Sequence, residues 1–349
     1  MSQHGEFPRH LLSVADLGRE GIEEILRLAE SFEEVSSRDI PRVPALRGRS
    51  VALMFFEDST RTRLSFDTAA KRLSAETLVF TAASSSLSKG ESLRDTVQTV
   101  SAMGVDAMVV RHRCAGVPAQ VSRWTDAAVL NAGDGWHEHP TQALLDCFTL
   151  ARHRGNGTDL SGMRIAIVGD IVHSRVARSD IVAFVSLGAK VILVAPPTLL
   201  PSDMEGWPVE TVGDLDEVLG TLDAVYLLRL QRERMAANLV PSLREYAHRF
   251  GMDASRMARL PAHGLVMHPG PMNRGVEISS EVADDPRCVA TEQVSNGIAV
   301  RMAVLFMLLG TPAAKEALRA GSPRRPGSLL PDQESLHSSV PGAKRSAGV

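Results

Sequence analysis

Cysteine is scarce: Cys114, Cys147 and Cys288 stand far apart in 349 residues, with no CxxC spacing. They supply neither a disulfide framework nor a zinc site, and a reducing cytoplasm is the expected setting. Aromatic residues are few as well, with 10 Phe, 3 Trp and 2 Tyr, so surfaces for stacking bases are in short supply. Neither sign of charge prevails, since 38 Lys plus Arg stand against 41 Asp plus Glu for a formal net of -3. Without a basic excess, the general attraction that holds nucleic acid is missing, and no such partner is expected. No apolar run approaches the roughly 18 residues of a membrane span, and none is expected. The opening stretch from Met1 to Val14 lacks the apolar centre of a secretion signal. Neither GxxxxGK[ST] nor GxGxxG occurs, which disfavours a nucleotide P-loop or a dinucleotide site.

What is present has the balance of a globular chain, 44% hydrophobic and 23% charged, and its length suits two domains. A helical pattern from Leu17 to Phe32 precedes a short apolar run, Val51–Phe56, that reads as a buried strand. Further runs at Val105–Val110, Ala127–Leu130, Met163–Gly169, Lys190–Val194, Asp223–Leu230 and Gly264–Met267 alternate with helical stretches. That alternation predicts βαβ units, hence an α/β fold of two domains, each a parallel sheet flanked by helices. The helical segment Thr141–Arg152, followed by Gly155-Asn-Gly157, is the expected hinge, and Thr291–Leu309 is a long apolar helix expected to pack back on the first half. The expected units are therefore 1–152 (with the hinge helix at about 140–152), 153–291 and a final helix at 292–312; the Ser-, Pro- and Gly-rich stretch 320–349 reads as a disordered tail.

Ligands in open α/β sheets lie beyond the carboxyl ends of the strands, and the polar clusters fall there. Ser59-Thr60-Arg61-Thr62-Arg63 follows Val51–Phe56 and opens an amphipathic helix. Hydroxyls, helix-terminal N–H groups and guanidiniums together make an anion site, though an N-cap serine with solvated arginines is the plainer alternative. Arg111 and His112 end a strand, while His139-Pro-Thr-Gln142 starts the hinge helix with Pro140 where a first turn tolerates it. From that position His139 and Gln142 are expected to face outward. Arg175 and Arg229 follow two strands of the second half, and two guanidiniums suit a substrate with two carboxylates. Ser84–Glu91 reads as a flexible flap carrying Lys89, and His268-Pro-Gly-Pro as a rigid turn with outward carbonyls.

Taken together, FFEDSTRTRLSFDTA (55–69), SLSKGESLRDT (86–96), VVRH (109–112), HPTQALLD (139–146), GDIVHSRVARS (169–179), LLRLQRER (227–234), MHPGPMNRG (267–275) and QVSNGIAVRMAVL (293–305) resemble the aspartate/ornithine carbamoyltransferase family, in family order over about residues 10–310. The resemblance implies carbamoyl transfer from carbamoyl phosphate to an amine, with no cofactor, metal or protein nucleophile. It implies that Ser59, Thr60, Arg61 and Thr62 bind the phosphate. Thr62, Arg111 and His139 point at the carbonyl oxygen, and Gln142 with the carbonyls of Gly270 and Pro271 holds the carbamoyl NH2.

On the acceptor side the resemblance places Lys89, Arg175 and Arg229, with Gln231 nearby. The aspartate branch is favoured over the ornithine branch: two arginines repel a cationic acceptor, and His268-Pro-Gly-Pro lacks the cysteine of the ornithine motif. A silent scaffold homologue is the rival, disfavoured because every cation is in place. The family implies a homotrimer in which Ser85 and Lys89 reach a neighbouring subunit's site, sometimes with regulatory chains or dihydroorotase. His173 stands where some members carry Tyr.

Overall fold

The structure, a computed structural model, describes residues 7–81, 90–230 and 242–319. The first half runs α1 (Gly18–Ser36), β1 (Ser50–Phe55), α2 (Thr60–Arg72), β2 (Glu76–Thr81), α3 (Leu93–Ala102), β3 (Ala107–His112), α4 (Val117–Val121), β4 (Ala128–Asp134) and α5 (Pro140–Arg154). The second runs β5 (Arg164–Val168), α6 (Arg175–Ser186), β6 (Lys190–Val194), β7 (Val209–Val212), β8 (Ala224–Leu227), α7 (Leu243–Phe250), α8 (Ala254–Arg259), β9 (Leu265–Met267) and α9 (Ser280–Ala283), and closes with α10 (Ala290–Leu309) and α11 (Pro312–Arg319).

Two all-parallel sheets result, ordered β2-β1-β3-β4 and β7-β6-β5-β8-β9, and the expected two-domain α/β architecture holds. Along β1 the side chains alternate between two cores. Val51, Leu53 and Phe55 enter the large core beneath α1, α2 and α10, whereas Ala52 and Met54 enter a smaller one with Val97, Met108 and Val129. A strand buried on both faces needs a continuous apolar run, which is why this one stood out in the sequence.

The strand orders fix where a ligand site lies. In the first sheet the connections part between β1 and β3, and in the second between β5 and β8, leaving a crevice at the carboxyl ends of each pair. Two helices join the halves. α5 starts with Pro140 at its first turn, ends at Gly155 in the left-handed region (φ 69°), and packs on both α1 and α6. α10 packs on α1, α2 and α5.

By length and composition α10 does reach what no segment was expected to reach, with 20 residues and a mean hydropathy of 1.2. Hydropathy alone therefore does not exclude a span. Over its most apolar 18 residues 72% of the helix is buried inside the protein, and it seats Gln293, Asn296 and Arg301 in polar contacts.

Candidate active site

The two crevices face one cavity of about 580 Å³. β1 delivers the chain to Ser59, whose extended backbone (φ -161°, ψ 97°) occupies the N-cap of α2. Its side chain accepts none of the helix N–H groups, so the plainer capping role is not what its hydroxyl performs. Ser59, Thr60, Arg61 and Thr62 line the cavity, with the first-turn amides of α2 and their positive dipole end beside them. Burial and the neighbouring Arg229 guanidinium lower the pKa of Arg61. Two cations held together in this way raise the affinity of the place for an anion.

Arg111 ends β3 and Arg175 opens α6. Arg111 donates from Nη1 to the carbonyl of Ala132 (3.2 Å), and its Nε lies 3.6 Å from Glu57 Oε2. Arg175 donates from Nη2 to both Glu57 oxygens, at 3.1 and 2.9 Å, across the gap between the halves. The sequence suggested a guanidinium waiting for a substrate carboxylate; in this structure it meets Glu57. Gly133 makes the crowding possible. Its φ of 112° suits glycine, and a Cβ there would lie 3.0 Å from Arg175 Nε and 3.1 Å from Arg111 Nη1.

His139 and Gln142 do not face outward. Both are buried, 4% and 9% exposed, because the start of α5 turns into the crevice between the sheets. The His139 N–H donates to Ser179 Oγ at 2.9 Å, while its Nδ1 meets no partner among the described residues. Burial holds the imidazole well below its usual pKa, helped by Arg111, Arg175 and Arg301, so His139 is neutral at physiological pH. A neutral imidazole still donates one hydrogen bond. Gln142 donates from Nε2 to both oxygens of Asp146, at 3.2 Å each.

Beyond β9, the turn at 268–273 is set by His268. The Gly270 N–H donates to His268 Nδ1 (2.7 Å), which leaves Nε2 as the protonated nitrogen, donating to Glu277 Oε1 at 3.1 Å. Glu277 Oε1 also accepts the Asn273 N–H at 2.6 Å. Gly270 and Pro271 then border the cavity, and the left-handed Gly270 (φ 63°) lets its backbone approach Arg61, where a Cβ would be 3.0 Å from the guanidinium carbon.

Of the anticipated site residues, Ser59, Thr60, Arg61, Thr62, Arg111, His139, Gln142, Arg175, Arg229, Gly270 and Pro271 thus border one space. Ser85, Lys89 and Gln231 lie outside the described residues, as does the stretch 320–349. Two contributors were missed. Glu57 was read only as the polar end of a strand. Arg301 lies inside α10, donating to Ser65 Oγ (2.9 Å) and the Gly297 carbonyl (3.1 Å), with burial lowering it to about 10. Its signal was available, a lone charge in an otherwise apolar stretch. Among the described residues no group of three His, Cys, Asp or Glu converges as a metal site.

The aspartate/ornithine carbamoyltransferase carbamoyl-P binding domain matches residues 9–152, and the Asp/Orn binding domain of the same family matches residues 161–308. The chain belongs to the aspartate/ornithine carbamoyltransferase family. Within it, the aspartate carbamoyltransferase catalytic subunit of Nocardioides sp. is 59% identical over 306 residues, covering 86% of this chain and 94% of the relative. That of Streptomyces coelicolor is 58% identical over 318 residues, covering 88% and 98%. Among solved structures, aspartate transcarbamoylase from Trypanosoma cruzi in complex with N-(phosphonacetyl)-L-aspartic acid superposes with a TM-score of 0.79 at 33% identity, covering 86% of this chain and 96% of that one. The same carbamoyltransferase with carbamoyl aspartate and phosphate gives 0.78 at 32% identity, covering 88% and 100%.

Proposed function

We propose that this chain transfers the carbamoyl group of carbamoyl phosphate to the amine of L-aspartate, giving N-carbamoyl-L-aspartate and phosphate, an early step of de novo pyrimidine biosynthesis. The observation that carries this reading is the charge of the cavity. Five arginines (61, 111, 175, 229 and 301) border it against two carboxylates, Glu57 and Asp58. Two anionic substrates answer that imbalance, whereas a cationic acceptor such as ornithine aggravates it. Relatives named for the aspartate enzyme support the same acceptor.

In this reading the phosphate rests on Ser59, Thr60, Arg61 and Thr62 at the start of α2, within the domain spanning 1–152. Thr62, Arg111 and His139 donate to the carbonyl oxygen, and Gln142 with the carbonyls of Gly270 and Pro271 accepts from the carbamoyl NH2. Aspartate's carboxylates meet Arg175 and Arg229 in the domain spanning 153–291, together with Lys89 and Gln231. The free amine of aspartate attacks the carbonyl carbon. Negative charge gathers on the carbonyl oxygen, where the three donors are already aimed, and such a donor is typically worth about 10²–10³ in rate. As the tetrahedral species collapses, the C–O bond to phosphate breaks and the departing phosphate takes the amine proton. Neutral His139 suits this role, since it donates without competing as an acid.

The same reading makes the protein a cytoplasmic homotrimer, with Ser85 and Lys89 completing a neighbour's site. Its support is the edge position of β2, the strand leading to those residues, which leaves Val79 55% exposed. Purified protein supplied with carbamoyl phosphate and aspartate should release carbamoyl-aspartate. Product from ornithine or another amine alone would overturn the acceptor, and none from any amine would favour a silent scaffold. For the shared site, mixed Lys89→Ala and His139→Ala chains should regain activity once subunit exchange is verified.

A further inference from the structure

Beneath the cavity lies a buried carboxylate that the reaction described above does not use. Asp146 sits one helical turn after Gln142 on α5, fully buried. Besides both bonds from Gln142, its Oδ2 accepts from Tyr226 Oη on β8 (2.8 Å) and its Oδ1 from Gln293 Nε2 on α10 (2.6 Å). The other end of the Gln293 amide, Oε1, accepts the backbone N–H of His268 at 2.9 Å. One carboxylate therefore collects α5, β8 and α10. Through Gln293 it also reaches the turn that carries Gly270 and Pro271.

We propose that Asp146 is a positioning residue for the carbamoyl group, fixing Gln142 and, through Gln293, the His268–Pro271 turn so that their carbonyl oxygens converge on the carbamoyl NH2. The inference rests on the roles given above to Gln142, Gly270 and Pro271. Its logic is the donor inventory. A carboxylate accepts only, so the Gln142 amide must turn its NH2 to Asp146 and its oxygen away. Gln293 faces the same choice, and its oxygen is thereby committed to His268. An asparagine in place of Asp146 has one oxygen to serve Gln142, Tyr226 and Gln293, and brings an NH2 of its own. Some donor is then left unmatched, and the amide of Gln142 loses its reason to hold one orientation.

The neighbouring groups support the ionised form of Asp146. Asp180, on α6, lies against it, fully buried, and no donor among the described residues reaches either Asp180 oxygen. A buried carboxyl without donors keeps its proton, and burial beside Asp146 and Glu138 pushes Asp180 well above its usual pKa. Asp146 is pushed up by burial to about 7, while donors from Gln293, Tyr226, Gln142 and Asp180 pull it down. Of the pair, Asp180 therefore holds its proton more firmly and Asp146 is the member that carries the charge, within electrostatic reach of the buried Arg301 guanidinium.

Steady-state kinetics with each substrate varied test the proposal. Asp146→Asn should lower kcat/KM for carbamoyl phosphate by roughly tenfold or more with little change in KM for aspartate, as losing a buried charged acceptor commonly costs. Gln142→Ala should cost at least as much alone, yet add little in the Asp146→Asn background, since both act through one contact. If Gln142→Ala is impaired while Asp146→Asn stays within twofold of wild type, the proposal falls and the site reading stands. An unimpaired Gln142→Ala removes the site role itself. Should Asp146→Asn fail to fold, Gln142→Glu decides the matter. Its carboxyl reproduces the bond to Asp146 only when protonated, so its kcat/KM relative to wild type should rise as pH is lowered. A flat ratio overturns the proposal.

Discussion

The cleft and the surface pocket around Asp216 both gather arginines, and they treat them in opposite ways. In the pocket, Arg256 forks onto Asp216 (3.1 and 3.0 Å), its Nη1 donates to the Gly251 carbonyl, and Arg259 adds a second guanidinium at 2.6 Å. Both of these guanidiniums have acceptors made by the fold, and the Arg256 bond holds the Asp216 carboxyl below its usual range. In the cleft, five arginines border two carboxylates, and Arg61 lies beside Arg229 rather than beside an acid. The first arrangement spends its charge on the fold, whereas the second leaves cations in excess of carboxylates, an excess that the proposed anionic substrates would answer. Stability and affinity are thus assigned to different arginines, and a substitution in each place should separate them.

The widest separation is expected from Arg61→Ala against Arg256→Ala. Removing Arg61 should lower kcat/KM on the order of 10²–10³-fold or more, as for other donors aimed at reacting groups, while Tm stays near wild type because a like-charged neighbour is relieved. Removing Arg256 takes from Asp216 the forked one of its two guanidiniums and leaves the Gly251 and Arg249 carbonyls without that donor. It should cost on the order of 2–4 kcal/mol of stability with kcat unchanged. Thermal unfolding with and without inorganic phosphate adds a third reading, since phosphate should raise Tm in wild type and Arg256→Ala but not in Arg61→Ala. Equal losses of activity in the two variants would erase the distinction.

A smaller contrast uses glycines. Gly133 and Gly155 both have positive φ, 112° and 69°, but a Cβ on Gly133 strikes Arg175 and Arg111 whereas one on Gly155 meets nothing within 4 Å. Alanine at either place should cost about 1 kcal/mol or somewhat more of stability through backbone strain. Only Gly133→Ala should also lower kcat, because it displaces two guanidiniums of the cleft. Assay and thermal unfolding of the two variants side by side check this, and a matching fall in kcat for Gly155→Ala would break the argument.

What was legible in the sequence divides along the same line between surface and interior. The inner strands β1, β3, β5, β6 and β8 announced themselves as apolar runs because both faces are covered. β2 and β7 did not, since their residues, Glu76–Thr81 and Val209–Val212, stay partly exposed and mix Thr, Glu and Val. The opposite edge strands β4 and β9 are buried and were legible as Ala127–Leu130 and Gly264–Met267. Site residues just beyond strand ends were readable because chain order places them there. Asp146, Tyr226, Gln293 and Arg301 were not, because their partners come from distant parts of the chain: Asp146 and Gln293 are 147 residues apart, and Arg301 and Ser65 are 236. A polar residue inside an apolar stretch, as in Ala143–Phe148 or Ile298–Leu305, was the available hint. It marks that a buried partner exists without saying which.

The smallest effect sharpens the comparison through pH. Asp216 and Asp180 are both carboxyls of the second sheet's surroundings, shifted in opposite directions. Asp216, held low by Arg256, contributes stability that is present above the usual carboxylate range near 3.8 and lost as pH falls through its folded value. Asp180, held high by burial beside Asp146 and Glu138, contributes the reverse, with stability full below about 3.8 and declining as pH rises toward its folded value. Asp180→Asn keeps an NH2 to donate to Asp146 but has nothing to ionise. Its Tm should exceed that of wild type by a margin that widens as pH rises from about 4 toward neutrality, each pH unit being worth up to roughly 1.4 kcal/mol. Asp216→Asn should instead lose ground to wild type as pH rises over the acid range. A margin for Asp180→Asn that does not change with pH would mean that Asp180 ionises alike in the folded and unfolded chains, and the firmly held proton of Asp180 beneath the cleft would have to be abandoned.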